Sequence, residues 1–100
     1  MHVTSRENLN EIVNSGALEY PSRGGASWSY SGLLRDGNVA IRLAPGAEGY
    51  VELVPSTDGF GQVPRYYPEG VGVGNPRSYI PIDYLEYFNV RAGQWLPLRR

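Results

Sequence analysis

The residue with the most distinctive chemistry in this chain is His2, the single histidine among 100 residues. Its imidazole titrates near neutral pH, so it can exchange a proton or hold a polar group of a ligand. Thr4 follows two positions later and shares a face with His2 if the segment is a strand. The chain has no cysteine and its nine basic residues are all arginine. Thiolate and lysine catalysis are therefore excluded, and His2 must work with a carboxylate, a tyrosine or an arginine.

Two aromatic residues and two carboxylates are further candidates for a functional site. Trp28 and Tyr30 are two positions apart, so on a strand they share a face. They are either core aromatics or a stacking platform for a base or a nicotinamide ring. Glu52 is a candidate catalytic carboxylate on a predicted strand, although an ion pair with Arg42 would also explain it. Asp83 has the sequence context of a turn or cap residue.

The bulk composition excludes several classes of function. A net charge of -1 gives no general attraction for a polyanion, and one histidine without cysteine argues against a structural zinc site. We therefore expect no metal. Apolar residues at 41% and charged residues at 19% are typical of one globular domain over residues 1–100. No apolar stretch is long enough to cross a bilayer, so we expect no membrane partner.

The segment directly after His2 carries strong signals for a helix over residues 5–15. Thr4 and Glu7 fit a capping box, with Ser5 as the alternative cap. Gly16 stands where a left-handed residue ends a helix. The apolar residues of the segment have the spacing of one helical stripe: Leu9, Ile12 and Val13. A short strand that contains His2 would therefore run straight into this helix.

The middle of the chain has the pattern of a β-hairpin. Alternating apolar residues predict strands over 39–43 and 50–54, and Pro45-Gly46 between them predicts the turn. In such a hairpin Arg42 would pair with Glu52 across the two strands.

The last part of the chain is rich in glycine and proline. Residues 55–77 have no clear periodicity, which is typical of a functional loop. Residues 79–82 are a predicted strand, residues 84–88 a short turn capped by Asp83, and residues 89–98 a segment that closes the sheet. We therefore predict an α+β fold, with a curved, mostly antiparallel sheet and one N-terminal helix packed on it.

The opening of the chain resembles the opening of compact ADP-ribosyltransferase-like domains at the C-termini of bacterial polymorphic toxins. The resemblance is carried by His2-Val3-Thr4-Ser5, Leu9, Ile12 and Ser15-Gly16-Ala17-Leu18. It implies that His2 holds the ribose of NAD with Thr4 beside it, and that Tyr30 stacks on the nicotinamide in a site shared with Trp28. It also implies an acidic residue on a later strand, for which Glu52 and Asp83 are the candidates.

The same resemblance implies a biological setting and a mechanism. The domain would be the C-terminal toxin module of a longer protein, secreted or delivered into a target cell and acting in its cytoplasm. It would transfer ADP-ribose from NAD to a macromolecular acceptor, either protein or RNA, and a cognate immunity protein would be a second partner. Displacement at the ribose C1 would pass through an oxocarbenium-like state, whose charge the carboxylate stabilises. The catalytic residues would be His2, Tyr30 and Glu52.

Two other functions remain open from the sequence. The first is a metal-independent RNase toxin, in which His2 is the general acid or base and Arg42 or Arg65 steadies the phosphorane, with Thr4 or Tyr30 assisting. The net charge of -1 speaks against it, because RNases usually attract their substrate electrostatically. The second is a non-enzymatic binding module with an aromatic recognition surface, for which the candidates are Trp28, Tyr30, Tyr66 and Tyr67.

Overall fold

The N-terminal helix and the strands that surround it form an α+β fold, as the sequence predicts. The computed structural model describes residues 2–19, 38–55 and 62–99. Within these ranges the elements, in chain order, are β1 (His2–Ser5), α1 (Arg6–Ser15), β2 (Ala17–Glu19), β3 (Asn38–Leu43), β4 (Val51–Pro55), β5 (Gln62–Tyr66), β6 (Tyr79–Pro81), β7 (Leu85–Asn89) and β8 (Gln94–Pro97). Short 3₁₀ helices at Pro45–Gly49 and Ile82–Tyr84 connect some of them.

Helix α1 begins and ends where its local signals predict. Ser5 is the N-cap, and its hydroxyl accepts a hydrogen bond from the backbone N–H of Asn8. The predicted capping box of Thr4 and Glu7 is wrong, because the Thr4 hydroxyl instead accepts from the side chain of Asn8. Gly16 has a φ of 84° and donates its N–H to the carbonyl of Ile12, which is the left-handed helix end that glycine favours.

The largest sheet in the described ranges has four strands in the order β1-β3-β7-β8, and each neighbouring pair is antiparallel. Strand β3 lies inside this sheet. Its first residues pair with β1 and its last residues pair with β7, with Ile41 opposite both His2 and Tyr87. The register thereby fixes His2 against β3, which has more buried residues than any other strand in the described ranges.

The predicted hairpin of residues 39–43 and 50–54 is wrong. Both segments are strands, but β4 pairs with β5 and not with β3. Because β1 and β7 already occupy the two edges of β3, it has no edge left for β4. The 3₁₀ helix at Pro45–Gly49 leads the chain out of the four-stranded sheet. The predicted Arg42–Glu52 pair is wrong for the same reason, since Arg42 lies opposite Glu86 on β7.

Two predictions for the glycine-rich and C-terminal parts also need correction. Residues 55–77 contain strand β5, which places Arg65 opposite Glu52. Residues 85–89 form strand β7 rather than a turn, because their aromatic side chains suit a strand that has a neighbour on each side. Asp83 is exposed within the preceding 3₁₀ helix, whose N-cap is Pro81. The predicted strand at 79–82 is confirmed as β6, and β8 closes the four-stranded sheet.

The core lies where α1, the four-stranded sheet and the β2–β6 pair meet. Its largest fully buried side chains are Ile41, Ile80 and Leu85, which come from β3, β6 and β7. The whole buried cluster in the described ranges is Ile12, Leu18, Ile41, Ala47, Val51, Ile80, Leu85 and Leu98. Because Leu18 and Ile80 face this core from opposite positions of β2 and β6, the neighbouring residues of both strands turn outward.

Candidate functional site

A groove of about 750 Å³ runs along β1, α1 and β2, and we call it the His2 groove. Strand β1 and the following helix form two of its sides because the chain passes directly from one to the other at Ser5. The polar side chains among its described lining residues are His2, Thr4, Ser5, Asn8, Glu11, Ser15, Glu19 and Asn38. The groove therefore contains the two residues that the sequence singles out first.

Strand β1 sets the positions of His2 and Thr4. The two residues alternate with Val3 and Ser5, so their side chains point to the same face of the strand. Antiparallel pairing places His2 opposite Ile41 and Thr4 opposite Val39, both of which are buried. His2 and Thr4 are themselves half-buried. The strand therefore places these two side chains on one face, as the sequence predicts.

Helix α1 supplies the second polar row of the groove. Asn8, Glu11 and Ser15 recur at intervals of three and four residues, so they lie on one face of the helix. The Asn8 side chain donates a hydrogen bond of 3.1 Å to the Thr4 hydroxyl. Since a hydroxyl can accept and donate at once, this bond orients Thr4 and leaves its own proton available to a ligand.

The carboxylates of the groove are residues that the sequence reasoning missed. Glu11 comes from α1 and Glu19 from the end of β2, and both are exposed. The signal for Glu11 was present, because it has the helical spacing of Asn8 and Ser15. Glu19 carried no comparable signal, since it belongs to β2, a three-residue strand whose partner β6 lies far along the chain.

The predicted catalytic carboxylate, Glu52, lies in another part of the fold. It is an exposed residue of β4 opposite Arg65, and it is not among the described residues that line the His2 groove. The Tyr67 hydroxyl lies 3.5 Å from a Glu52 carboxylate oxygen and donates a long hydrogen bond to it. Asp83, the other candidate, also lies outside the described lining of the groove.

The predicted aromatic site residues divide into two groups. Trp28 and Tyr30 lie outside the described residues. The described residues that flank their segment, Glu19 and Asn38, both line the His2 groove. Tyr67 is buried at 8% exposure, so it does not belong to an exposed recognition surface.

Tyr66 belongs to a group of tyrosines that we call the tyrosine cluster: Tyr50, Tyr66, Tyr79 and Tyr84. The rings of Tyr50 and Tyr84 stack at 5.5 Å between centroids. Tyr66 contacts both Tyr79 and Tyr84 at 5.7 Å in tilted arrangements. Tyr50 and Tyr79 are more than a third exposed, so this cluster reaches the surface.

The tyrosine cluster changes the acidity of its central member. Partial burial raises the pKa of Tyr66 above the ordinary value of 10.0, and the neighbouring Tyr84 and Tyr79 raise it further. A hydrogen bond with the Tyr84 hydroxyl also favours the protonated form, while Arg77 acts in the opposite direction. The phenol of Tyr66 therefore keeps its proton to a higher pH than an unperturbed tyrosine does.

The described residues contain neither a metal-binding group of side chains nor a helix that could span a membrane. In residues 2–19, 38–55 and 62–99, no three side chains of the His, Cys, Asp and Glu types are placed to hold a metal ion. None of the helices in these ranges has the length and apolar character that a membrane span requires.

Comparison with known proteins returned no relatives for this chain. A scan of protein-family models and searches of curated proteins and of solved structures found no match. The resemblance to toxin ADP-ribosyltransferases therefore stays a prediction that rests on the residues quoted for it. The remaining evidence on function is the set of residues that line the His2 groove.

Proposed function

We propose that the His2 groove binds NAD and transfers its ADP-ribose to a macromolecular acceptor. The observation that carries this proposal is that His2 and Thr4 line one groove together with the carboxylates of Glu11 and Glu19. An imidazole and a hydroxyl suit the hydroxyl groups of a ribose, since each can form hydrogen bonds with them. Carboxylates suit a reaction centre that becomes positively charged.

The charge of the groove favours this reaction over RNA cleavage. Breaking the bond between ribose C1′ and nicotinamide creates an oxocarbenium-like, positively charged ribose. RNA cleavage instead concentrates negative charge on a phosphorane, which carboxylates repel. The described lining of the groove contains Glu11 and Glu19 and no arginine. Arg42 and Arg65, the residues expected to steady a phosphorane, also lie outside that lining, on β3 and β5.

The roles of the groove residues follow from their contacts. Thr4, oriented by Asn8, donates its hydroxyl proton to a ribose oxygen, and His2 holds the ribose beside it. The bond from C1′ to the nicotinamide nitrogen breaks and nicotinamide leaves with the bonding electrons. An acceptor nucleophile forms the new bond to C1′, and its proton passes to Glu11, Glu19 or solvent. One of the two carboxylates stabilises the ribose cation in between.

The test is a transfer assay with NAD labelled on its adenine and a cell lysate as acceptor. Release of nicotinamide and incorporation of label are measured for the wild type and for single variants. We expect His2→Ala and one of Glu11→Gln and Glu19→Gln to lower both rates by about 100-fold, as loss of a catalytic group or of charge stabilisation does. Glu7→Gln is the matched control, because Glu7 is an exposed carboxylate of the same helix outside the described lining of the groove.

Each further outcome has a defined meaning. A wild-type protein that releases no nicotinamide and transfers no label contradicts the proposal, and cleavage of tRNA by the same preparation would favour the RNase function. Loss of activity in Glu52→Gln with full activity in Glu11→Gln and Glu19→Gln would return the catalytic role to Glu52. Circular dichroism of every variant separates loss of function from loss of fold.

A further inference from the structure

The tyrosine cluster is continuous with the His2 groove through strands β2 and β6. Glu19 of the groove lies directly opposite Tyr79 in the antiparallel register of the two strands. Directly opposed residues of an antiparallel pair project from the same face. Leu18 and Ile80, one position away, project from the other face into the core. The outer face of β2 and β6 therefore leads from the groove to the ring of Tyr79.

Arg77 adjoins the tyrosine cluster through its pairing with Tyr66. It forms an isolated antiparallel bridge with Tyr66, and its backbone N–H donates a 2.7 Å hydrogen bond to the Tyr66 carbonyl. As an opposed pair, the two side chains project from the same face. The Arg77 side chain is exposed and donates from Nη1 to the carbonyl of Asn75, which leaves most of the guanidinium donors for a ligand.

We propose that Tyr79 and Arg77 form a subsite for a nucleoside phosphate, in which the Tyr79 ring stacks on the base and the Arg77 guanidinium pairs with the phosphate. Tyr66 contacts the Tyr79 ring, and Tyr84 in turn contacts Tyr66, so the Tyr79 ring is anchored in the tyrosine cluster. The identification of this ligand with the adenosine half of NAD rests on the function proposed above. The subsite itself does not depend on catalysis.

The chemistry of the two residues selects this class of ligand. Every base has a π-face, so an exposed tyrosine ring held in place by its neighbours is a stacking platform. Arginine presents a planar set of donors that matches the oxygens of a phosphate. The described lining of the His2 groove contains the carboxylates of Glu11 and Glu19 and no arginine, so it suits the ribose that becomes positive better than a pyrophosphate. Arg77 supplies the positive charge that the phosphates of a dinucleotide require.

The subsite is tested by binding of three small probes to the ¹⁵N-labelled protein, followed by amide chemical shifts. AMP carries base and phosphate, adenosine carries the base without the phosphate, and ribose 5-phosphate carries the phosphate without the base. We expect AMP to shift the amides of residues 77–80 and to bind about tenfold more tightly than either of the other probes, because stacking and a charge-assisted pair each contribute.

Two variants separate the contributions, and each has a matched control. Arg77→Gln is expected to weaken AMP binding about tenfold and to leave adenosine unchanged, whereas Arg91→Gln, another exposed arginine, leaves both unchanged. Tyr79→Leu is expected to weaken AMP and adenosine about tenfold, whereas Tyr79→Phe keeps the ring and the binding. The amide spectrum of each variant also shows whether it is folded.

Failure of the subsite is distinguishable from failure of the proposed function. If AMP shifts no amides near residues 77–80, or if Arg77→Gln and Arg91→Gln weaken AMP binding equally, the subsite is wrong even when the protein turns over NAD. If AMP binds as expected and NAD is never cleaved, the subsite is supported and the transferase function is wrong.

Discussion

The side chains of Arg42 and Glu86 form an ion pair across β3 and β7, with Arg42 Nε 2.9 Å from Glu86 Oε1. The Arg42 guanidinium also lies 4.5 Å from the ring centroid of Trp95 on β8. Trp95 in turn contacts Phe88, its partner in the β7–β8 register, at 5.4 Å between ring centroids. One arginine therefore connects three neighbouring strands of the four-stranded sheet.

We expect this ion pair to contribute measurably to stability. Replacement of Glu86 by Gln should lower the free energy of unfolding by about 1 kcal/mol, since Glu86 is only 16% exposed and holds Arg42 over Trp95. A double-mutant cycle with Arg42→Gln, followed by urea unfolding, should give a coupling energy of about 0.5–1 kcal/mol that falls at 1 M salt. A coupling energy of zero at low salt would show that the contact is incidental.

The end of α1 gives a second prediction about stability. Replacement of Gly16 by Ala should cost about 1 kcal/mol, because a side chain at a φ of 84° is strained. Gly46 is the matched control: its φ is outside the left-handed region, and a Cβ built there meets no atom within 4 Å. We expect Gly46→Ala to change the free energy of unfolding by less than about 0.5 kcal/mol. Equal costs at the two positions in thermal or urea unfolding would contradict the role of Gly16.

The tyrosine cluster predicts a loss of stability in alkali. The folded protein holds the Tyr66 proton more tightly than the unfolded chain, whose tyrosine pKa is near 10.0. Below that pH the group is neutral in both states and has no effect. As the pH rises above 10.0, the unfolded chain loses the proton first, so stability falls until the pH passes the raised pKa of the folded state.

The measurement for this prediction is the free energy of unfolding between pH 9 and pH 11. We expect Tyr66→Phe to reduce the fall in stability over this range, because phenylalanine keeps the ring and has no proton to lose. The control is Tyr87→Phe, which removes the hydroxyl of a tyrosine on β7 outside the tyrosine cluster. The interpretation is wrong if Tyr66→Phe and wild type lose stability in parallel.

The parts of the fold that the sequence predicts correctly are those with local causes. Ser5 and Gly16 determine the ends of α1 by hydrogen bonds that reach three or four residues along the chain. Strand partners are set by distant residues, and alternation alone does not identify them. Arg42 has Glu52 ten positions away and Glu86 forty-four positions away, and it pairs with Glu86 because β7 adjoins β3.

The residues of the candidate site also divide into those that local sequence predicts and those that only the fold brings together. His2 and Thr4 were predictable as neighbours because a strand places residues two apart on one face. Glu19 joins them only through the fold, since its short strand β2 is defined by pairing with the distant β6. Glu52 was a reasonable candidate as a strand carboxylate, yet no local pattern could show that β4 belongs to another sheet.

The junction of β1 and α1 allows the structural and functional roles of neighbouring hydroxyls to be separated. Ser5 caps the helix backbone, so Ser5→Ala should cost about 1 kcal/mol of stability. The Thr4 hydroxyl instead accepts an exposed hydrogen bond from the side chain of Asn8, so Thr4→Val should cost less than about 0.5 kcal/mol. If Thr4 also donates to a ribose, Thr4→Val should lower the transfer rate by about tenfold while Ser5→Ala, assayed below its melting temperature, lowers it less.

Urea unfolding and the transfer assay on both variants make this comparison. A Thr4→Val protein with wild-type transfer activity would remove Thr4 from the site, and one as unstable as Ser5→Ala would show that its role is structural.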